Sequence, residues 1–140
     1  MATMKIPVFD QSYNSGTIKY SISFENLPSN SKWNFITFLT SDGKELAIGT
    51  NENALLSYTT NANTESASQT SFYPERYEQG SYTLDLIIDY DNNRYYIEFN
   101  GVKATIQGWT EAKITGLRFQ TASDAARSFD VTEIIISEIS

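Results

Sequence analysis

Neither cysteine nor histidine occurs anywhere in the 140 residues. Without cysteine there is no disulfide, no thiolate metal site and no thiol nucleophile, so packing alone must hold the fold. Without histidine a Ser-His-Asp triad and a histidine-ligated zinc site are excluded, and no side chain titrates near neutrality without help from its surroundings. Hydrolytic chemistry would have to rest on carboxylates, and any metal would be a hard ion held by oxygen. Basic residues are scarce as well: 10 Lys and Arg stand against 17 Asp and Glu, a net charge of -7. That balance argues against nucleic acid, whose binding depends on neutralising phosphates with Lys and Arg. Long apolar runs are missing too. The longest are three residues, as in Ile134 to Ile136, far below the ~20 needed to cross a bilayer as a helix, and the N-terminus has no signal-peptide core. The chain reads as one soluble domain, residues 1 to 140, with the look of a module excised from a longer protein behind an added Met1-Ala2-Thr3.

What is present is alternation with period two. From Ser81 to Ile106 (SYTLDLIIDYDNNRYYIEFNGVKATI), Tyr82, Leu84, Leu86, Ile88 and Tyr90 share one side of an extended chain. Tyr95, Ile97 and Phe99 follow, then Val102, Ala104 and Ile106. Asp91-Asn92-Asn93 and Asn100-Gly101 supply the two turns, the second in a dipeptide suited to a type I′ hairpin because both positions tolerate positive φ. Three strands of an antiparallel meander are predicted here.

The rest of the chain follows suit. Met4 to Phe9 reads as an edge strand because it contains Pro7. Ile18, Tyr20, Ile22 and Phe24 alternate with Lys19, Ser21, Ser23 and Glu25, a strand with one wet face. Trp33 to Thr40 is apolar in both registers and expected to be buried on both faces. Glu45 to Thr50 and Ala54 to Thr59 form a further pair. Thr60 to Thr70 is Asn, Ser, Thr, Ala and Gln with one Glu and reads as a surface loop, with a short strand at Ser71 to Tyr73. Lys113 to Thr121 places Leu117 and Phe119 inward and Arg118 and Gln120 outward, and Ser123 to Arg127 suggests one helical turn. Phe129 to Ile139 is a closing strand with Val131, Ile135 and Ile139 on one face, Ile134 and Ile136 on the other, and both faces covered. Ten or eleven short strands at this spacing, with no amphipathic helix, predict an all-β, two-sheet antiparallel sandwich.

The order WNFITFLTSDGKELAIGT, ALLSYT, GSYTLDLIIDYDNNRYYIEFNG, ITGLRFQT, FDVTEIIISEI resembles the concanavalin A-like and laminin-G-like jelly rolls, and among them the non-catalytic carbohydrate-binding modules of bacterial polysaccharide-degrading enzymes. The likeness spans Ile18 to Ile139. It implies a module that binds a polysaccharide or oligosaccharide, is secreted or displayed at the cell surface, is covalently linked to a catalytic domain, and in many relatives carries structural calcium. The runner-up is a laminin-G-like protein-binding or adhesion module, which predicts an exposed apolar patch. A small carboxylate glycosidase comes third and predicts two facing acidic side chains in a cleft.

Sugar recognition pairs a flat aromatic ring with planar polar groups. The candidates outside the core registers are Trp109, in the turn after Gly108; Tyr58; Tyr73 and Tyr77, flanking Arg76; and Arg118 with Gln120. Each has a plainer alternative: Trp109 as a lid over the sandwich end, the tyrosines as structural, Arg118 in an ion pair. For calcium the candidates are Asp10, Asp42 and Asp130. Asp85, Asp89 and Asp91 share a strand face and read as solvated carboxylates. The EF-hand echo at Asp89, Asp91 and Asn93 fails because Arg94 stands where Gly is required and Asn100 where Glu is required.

Overall fold

The structure is a computed structural model that describes residues 3–6, 13, 15–29, 32–109, 113–121 and 128–139. Its regular structure is entirely β: β1 (Thr3–Ile6), β2 (Thr17–Leu27), β3 (Trp33–Thr40), β4 (Leu46–Thr50), β5 (Leu56–Thr60), β6 (Ser68–Ser71), β7 (Gly80–Asp89), β8 (Arg94–Phe99), β9 (Val102–Thr105), β10 (Ile114–Gln120) and β11 (Asp130–Ile139). A six-stranded antiparallel sheet has the order β1-β10-β3-β4-β5-β6, and a five-stranded one β11-β2-β7-β8-β9. This is the two-sheet sandwich that the alternation predicts.

The five-stranded sheet turns Ile18, Tyr20, Ile22 and Phe24 of β2, Leu84, Leu86 and Ile88 of β7, and Tyr95, Ile97 and Phe99 of β8 inward, all buried. Ladder pairing sets them in rows: Tyr20 opposes Leu86, which opposes Ile97. Phe35, Ile36, Phe38, Ile48, Tyr58, Leu117 and Phe119 fill the core from the other sheet. Rings lock the two layers together: Phe24 of β2 meets Phe35 of β3 edge-on at 5.4 Å and Phe119 of β10 at 6.2 Å. The Asn100-Gly101 turn has φ of 49° and 80°, as a type I′ hairpin requires.

Trp33 to Thr40 is buried along almost its whole length, only Asn34 being exposed. A bulge between Asn34 and Ile36 against β4 accompanies the burial of both Phe35 and Ile36. Gly49 opposes Asn34 there, and a Cβ on it would sit 1.9 Å from the Trp33 carbonyl oxygen and 2.6 Å from Asn34 Cα.

Three local expectations are corrected. A strand, β6, forms within the polar stretch and stops at Ser71 instead of running from Ser71 to Tyr73; all four of its side chains are exposed and it pairs with β5 through backbone alone. Tyr82 is only half-buried although it is in register with the core residues of β7. In β11 a bulge between Val131 and Glu133 shifts the alternation by one residue. Val131 therefore sides with the half-buried Ile134 and Ile136, while Ile135 and Ile139 are 46% and 43% exposed. The expected helical turn at Ser123 to Arg127 and the strand residues Pro7 to Phe9 lie outside the described residues.

Gly49→Ala is expected to destabilise the fold by about 3 kcal/mol or more, since the clash is with backbone that cannot rotate away. Urea unfolding of the variant against wild type checks this, with Gly101→Ala, whose Cβ would meet nothing within 4 Å, costing less.

Candidate functional site

The aromatic residues singled out from the sequence are inside the molecule. Trp109 is 2% exposed; its indole N–H donates to the Lys44 carbonyl at 2.6 Å and its ring packs on Tyr95 at 5.2 Å. It is a lid over the sandwich end, not a platform. Tyr58 is buried at 2%, donating its hydroxyl to the Thr105 carbonyl at 3.4 Å and accepting from the Gln107 amide at 3.2 Å. Tyr73 and Tyr77 are likewise buried. An aromatic ring with a polar tip buries well when backbone groups satisfy the tip, and each of these four residues has such a partner or a side-chain equivalent.

Arg118 and Gln120 do face outward, on the six-stranded sheet. Arg118 lies opposite Thr37, which lies opposite Ala47. Its guanidinium reaches across β3 to Glu45 (3.5 Å) and donates weakly to Gln120 Oε1 (3.4 Å). The pair closes over Thr37, which is 1% exposed. Arg118 is therefore held in an ion pair instead of being presented to a ligand. Arg76 is exposed and its Nε donates to the Asn53 carbonyl at 3.2 Å. These residues do not converge on one place.

A groove does exist elsewhere, on the outer face of the five-stranded sheet at the end bearing the Asn100-Gly101 turn. It is open, has a volume of about 510 Å³, and is lined by Ser23, Glu25, Ser81, Tyr82, Thr83, Asp85, Glu98, Asn100 and Thr132, with Phe24 and Gly101. Period two explains its chemistry: Ser23 and Glu25 on β2, Ser81, Thr83 and Asp85 on β7 and Glu98 on β8 are the outward alternates of core residues. Asp85 directly opposes both Ser21 and Glu98. It accepts from the Ser21 hydroxyl at 2.5 Å and lies 3.8 Å from the Lys19 ammonium. Ser23 and Thr83 hydroxyls meet at 3.1 Å.

The misassigned tyrosines support this groove from beneath. The Asn100 amide donates to the Tyr73 hydroxyl at 2.7 Å, which orients a lining residue. Tyr82 stacks on Phe99 at 4.8 Å, and Tyr77 meets both rings edge-on at 5.3 Å. The Tyr77 hydroxyl donates to the Pro28 carbonyl at 2.8 Å and that of Tyr82 to the Glu78 carbonyl at 2.7 Å. Burial, with the neighbouring Tyr82 second, raises the Tyr77 phenol far above its ordinary value, so both phenols remain donors. Asn100, Tyr82, Asp85 and Glu98 were missed because they belong to the meander, whose residues read as scaffold; the outward register of Asp85 and Glu98 was the available signal, while Tyr82 shares the core register and Asn100 sits in the turn.

The acidic candidates for metal are occupied with turns. Asp42 Oδ1 accepts from the Thr40 hydroxyl at 2.8 Å and the Lys44 amide at 3.0 Å. Burial pushes its carboxyl upward, but these hydrogen bonds and the Lys44 charge outweigh it and hold the carboxyl below its usual value. Asp130 accepts from the Asn26 amide at 3.3 Å. Asp89 accepts twice from Asn92, a bond that lowers its carboxyl, and Asp91 accepts from the Gly16 amide at 3.1 Å. Among the described residues no three Asp or Glu converge as a metal-holding group; Asp10 lies outside them.

No family model and no curated protein matches the chain in sequence. Solved structures do match in fold. A galectin-Ib of Xenopus laevis superposes with a TM-score of 0.62 at 12% identity, covering 97% of this chain and 100% of that one. Domains LG4-5 of the mouse laminin α1 chain give 0.59 at 12%, over 96% of this chain and 38% of theirs. The alginate lyase A1-II′ gives 0.53 at 15%, over 90% and 63%. The chain thus has the concanavalin A-like jelly-roll fold, as its strand order suggested.

Asp42 supplies a test of the turn chemistry. A carboxyl lowered by folding contributes stability above its unfolded pKa and loses it as pH falls through the folded value. Wild type should therefore exceed Asp42→Asn in thermal stability at neutral pH, and the gap should close in acid, as measured by thermal unfolding across pH.

Proposed function

We propose that the chain is a non-catalytic carbohydrate-binding module, secreted and attached to a polysaccharide-degrading enzyme, whose glycan lies in the groove formed by β2, β7 and β8. The observation that carries this reading is the groove's lining. Four hydroxyl side chains, one amide and three carboxylates meet in one open concavity, with the half-buried Tyr82 at its margin. Sugars are recognised by that combination, since planar acceptors and hydroxyls pair with sugar hydroxyls while a ring covers the apolar face of a pyranose. The jelly-roll neighbours are compatible with this reading through fold alone.

Charge narrows the ligand. Glu25, Asp85 and Glu98 line the groove, and among the described residues no Lys or Arg does. A uronate would meet carboxylates at close range, so neutral or amino sugars are the favoured class. An attached enzyme held on such a glycan would gain effective substrate concentration without added chemistry.

Asp85 and Glu98, directly opposite each other, also favour a second reading as the carboxylate pair of a retaining glycosidase, which needs a separation of about 5 Å. Against it, Asp85 is anchored as an acceptor by Ser21 and Lys19, and the groove is open to water.

Titration calorimetry against neutral, amino and acidic glycans tests both readings. Binding to a neutral or amino glycan is expected to weaken about tenfold or more, about 1.4 kcal/mol, in Tyr82→Ala and Glu98→Gln, and to persist in Arg118→Ala. Failure to bind any glycan would sink the module, loss of binding in Arg118→Ala alone would move the site, and release of reducing sugar that Glu98→Gln abolishes would replace binding by hydrolysis.

A further inference from the structure

The groove reaches Glu98 on β8, and the outward face of that strand continues beyond it. Tyr96 and Arg94 are the next outward residues, at steps of about 7 Å. Both line a second concavity of about 330 Å³, together with Asn93, Thr105 and Gln107, at the end of β8 opposite the Asn100-Gly101 turn. Between the two concavities Tyr96 lies opposite Ile87 of β7, and both are half-buried.

The charge of the second concavity is the reverse of the first. The groove carries Glu25, Asp85 and Glu98; here the described lining includes Arg94 and no carboxylate. Two cations stand at this corner, Arg94 and Lys103, and each has an acid opposite it on the ladder with which it does not pair. Asp89, opposite Arg94, turns its carboxylate into the following turn, accepting from the Asn92 backbone amide at 3.2 Å and its side chain at 2.8 Å. Lys103, opposite Glu98, lays its ammonium over the Tyr96 ring at 4.6 Å instead. Among the described residues no carboxylate lies within ion-pair distance of either cation. Arg118 is closed off by Glu45, whereas Arg94 is exposed and keeps the planar donor fork that fits a carboxylate.

We infer that this concavity is a second subsite of the same glycan site and that it takes a uronic acid, an inference that rests on the reading of the groove as a glycan site. A saccharide chain lying along β8 meets the acidic groove first, then the apolar saddle of Ile87 and Tyr96, then Arg94. From Glu98 to Arg94 is about 13 Å, a span of a few sugar rings. The uronate carboxylate pairs with the Arg94 guanidinium, Lys103 adds positive charge from the side, and Thr105 and Gln107 offer a hydroxyl and an amide to the ring hydroxyls. Opposite charge at the two ends also sets the direction of the chain. Glu25, Asp85 and Glu98 repel a uronate and accept a neutral or amino sugar, while Arg94 does the converse. The ligand class is therefore an oligosaccharide in which amino sugars alternate with uronic acids.

Titration calorimetry on a panel of hexasaccharides that alternate a hexosamine with a uronic acid tests this, each probe measured beside its carboxyl-reduced twin, with fold checked by circular dichroism. Wild type is expected to bind an acidic member about tenfold more tightly than its twin, and the ratio should shrink as salt is added. Arg94→Gln should bring the ratio to about one. Arg94→Lys should recover only part of it, because an ammonium keeps the charge without the fork. Tyr82→Ala, in the groove, should weaken both twins alike. Equal affinity of wild type for both twins would overturn the acid subsite and leave the groove reading standing. An acid preference that survives Arg94→Gln would place the carboxylate elsewhere and overturn the assignment, as would an acid preference indifferent to Tyr82→Ala, which would detach the subsite from the groove. Failure of every acidic probe and every twin to bind would overturn the inference and the groove reading together.

Discussion

The pairing of Leu86 with Tyr20 on one side and Ile97 on the other fixes the meaning of nearly every residue in the five-stranded sheet. Side chains alternate with period two, so a slip of one position would carry the whole core set to the outer face. Two devices hold the register. The Asn100-Gly101 turn, with both residues at positive φ, sets the alignment of the hairpin it closes, and Leu84, Leu86 and Ile88 have no acceptable place but inside. The groove is a by-product of that constraint. Ser81, Thr83, Asp85 and Glu98 are brought together because their neighbours in sequence must be buried.

Aromatic residues show how one chemistry serves opposite ends. Trp109, Tyr58 and Tyr77 are amphipathic, and a sequence rich in tyrosine invites their assignment to a sugar platform. In the folded chain each has a backbone acceptor within reach: the carbonyls of Lys44, Thr105 and Pro28. Once its polar tip is satisfied, a large ring gains more from burial than from exposure. Tyr82 is the exception in degree, its ring stacked on Phe99 and half left to solvent.

The acidic surplus is likewise put to local use. Asp42, Asp89 and Asp91 accept hydrogen bonds from amides of nearby or distant turns, and Glu45 holds Arg118 across a strand. The carboxylates that line the groove, Glu25 and Glu98 beside the anchored Asp85, make it acidic.

The amino-acid sequence by itself determined the fold class, the meander with its hairpin, and the inward set of β2, β7, β8 and β10, because alternation and turn chemistry are local properties that any extended chain displays. It also excluded thiol and imidazole chemistry outright. It did not reveal β6, whose four exposed polar residues pair through backbone alone, nor the exposure of Ile135 and Ile139, which follows from a single bulged residue at the start of β11. Only the tertiary structure decided which tyrosines found backbone partners, that Arg118 found Glu45, and that Ser23, Thr83, Asp85, Glu98, Asn100 and Thr132 share one groove, because those relations join residues far apart in the chain and are set by strand order and register.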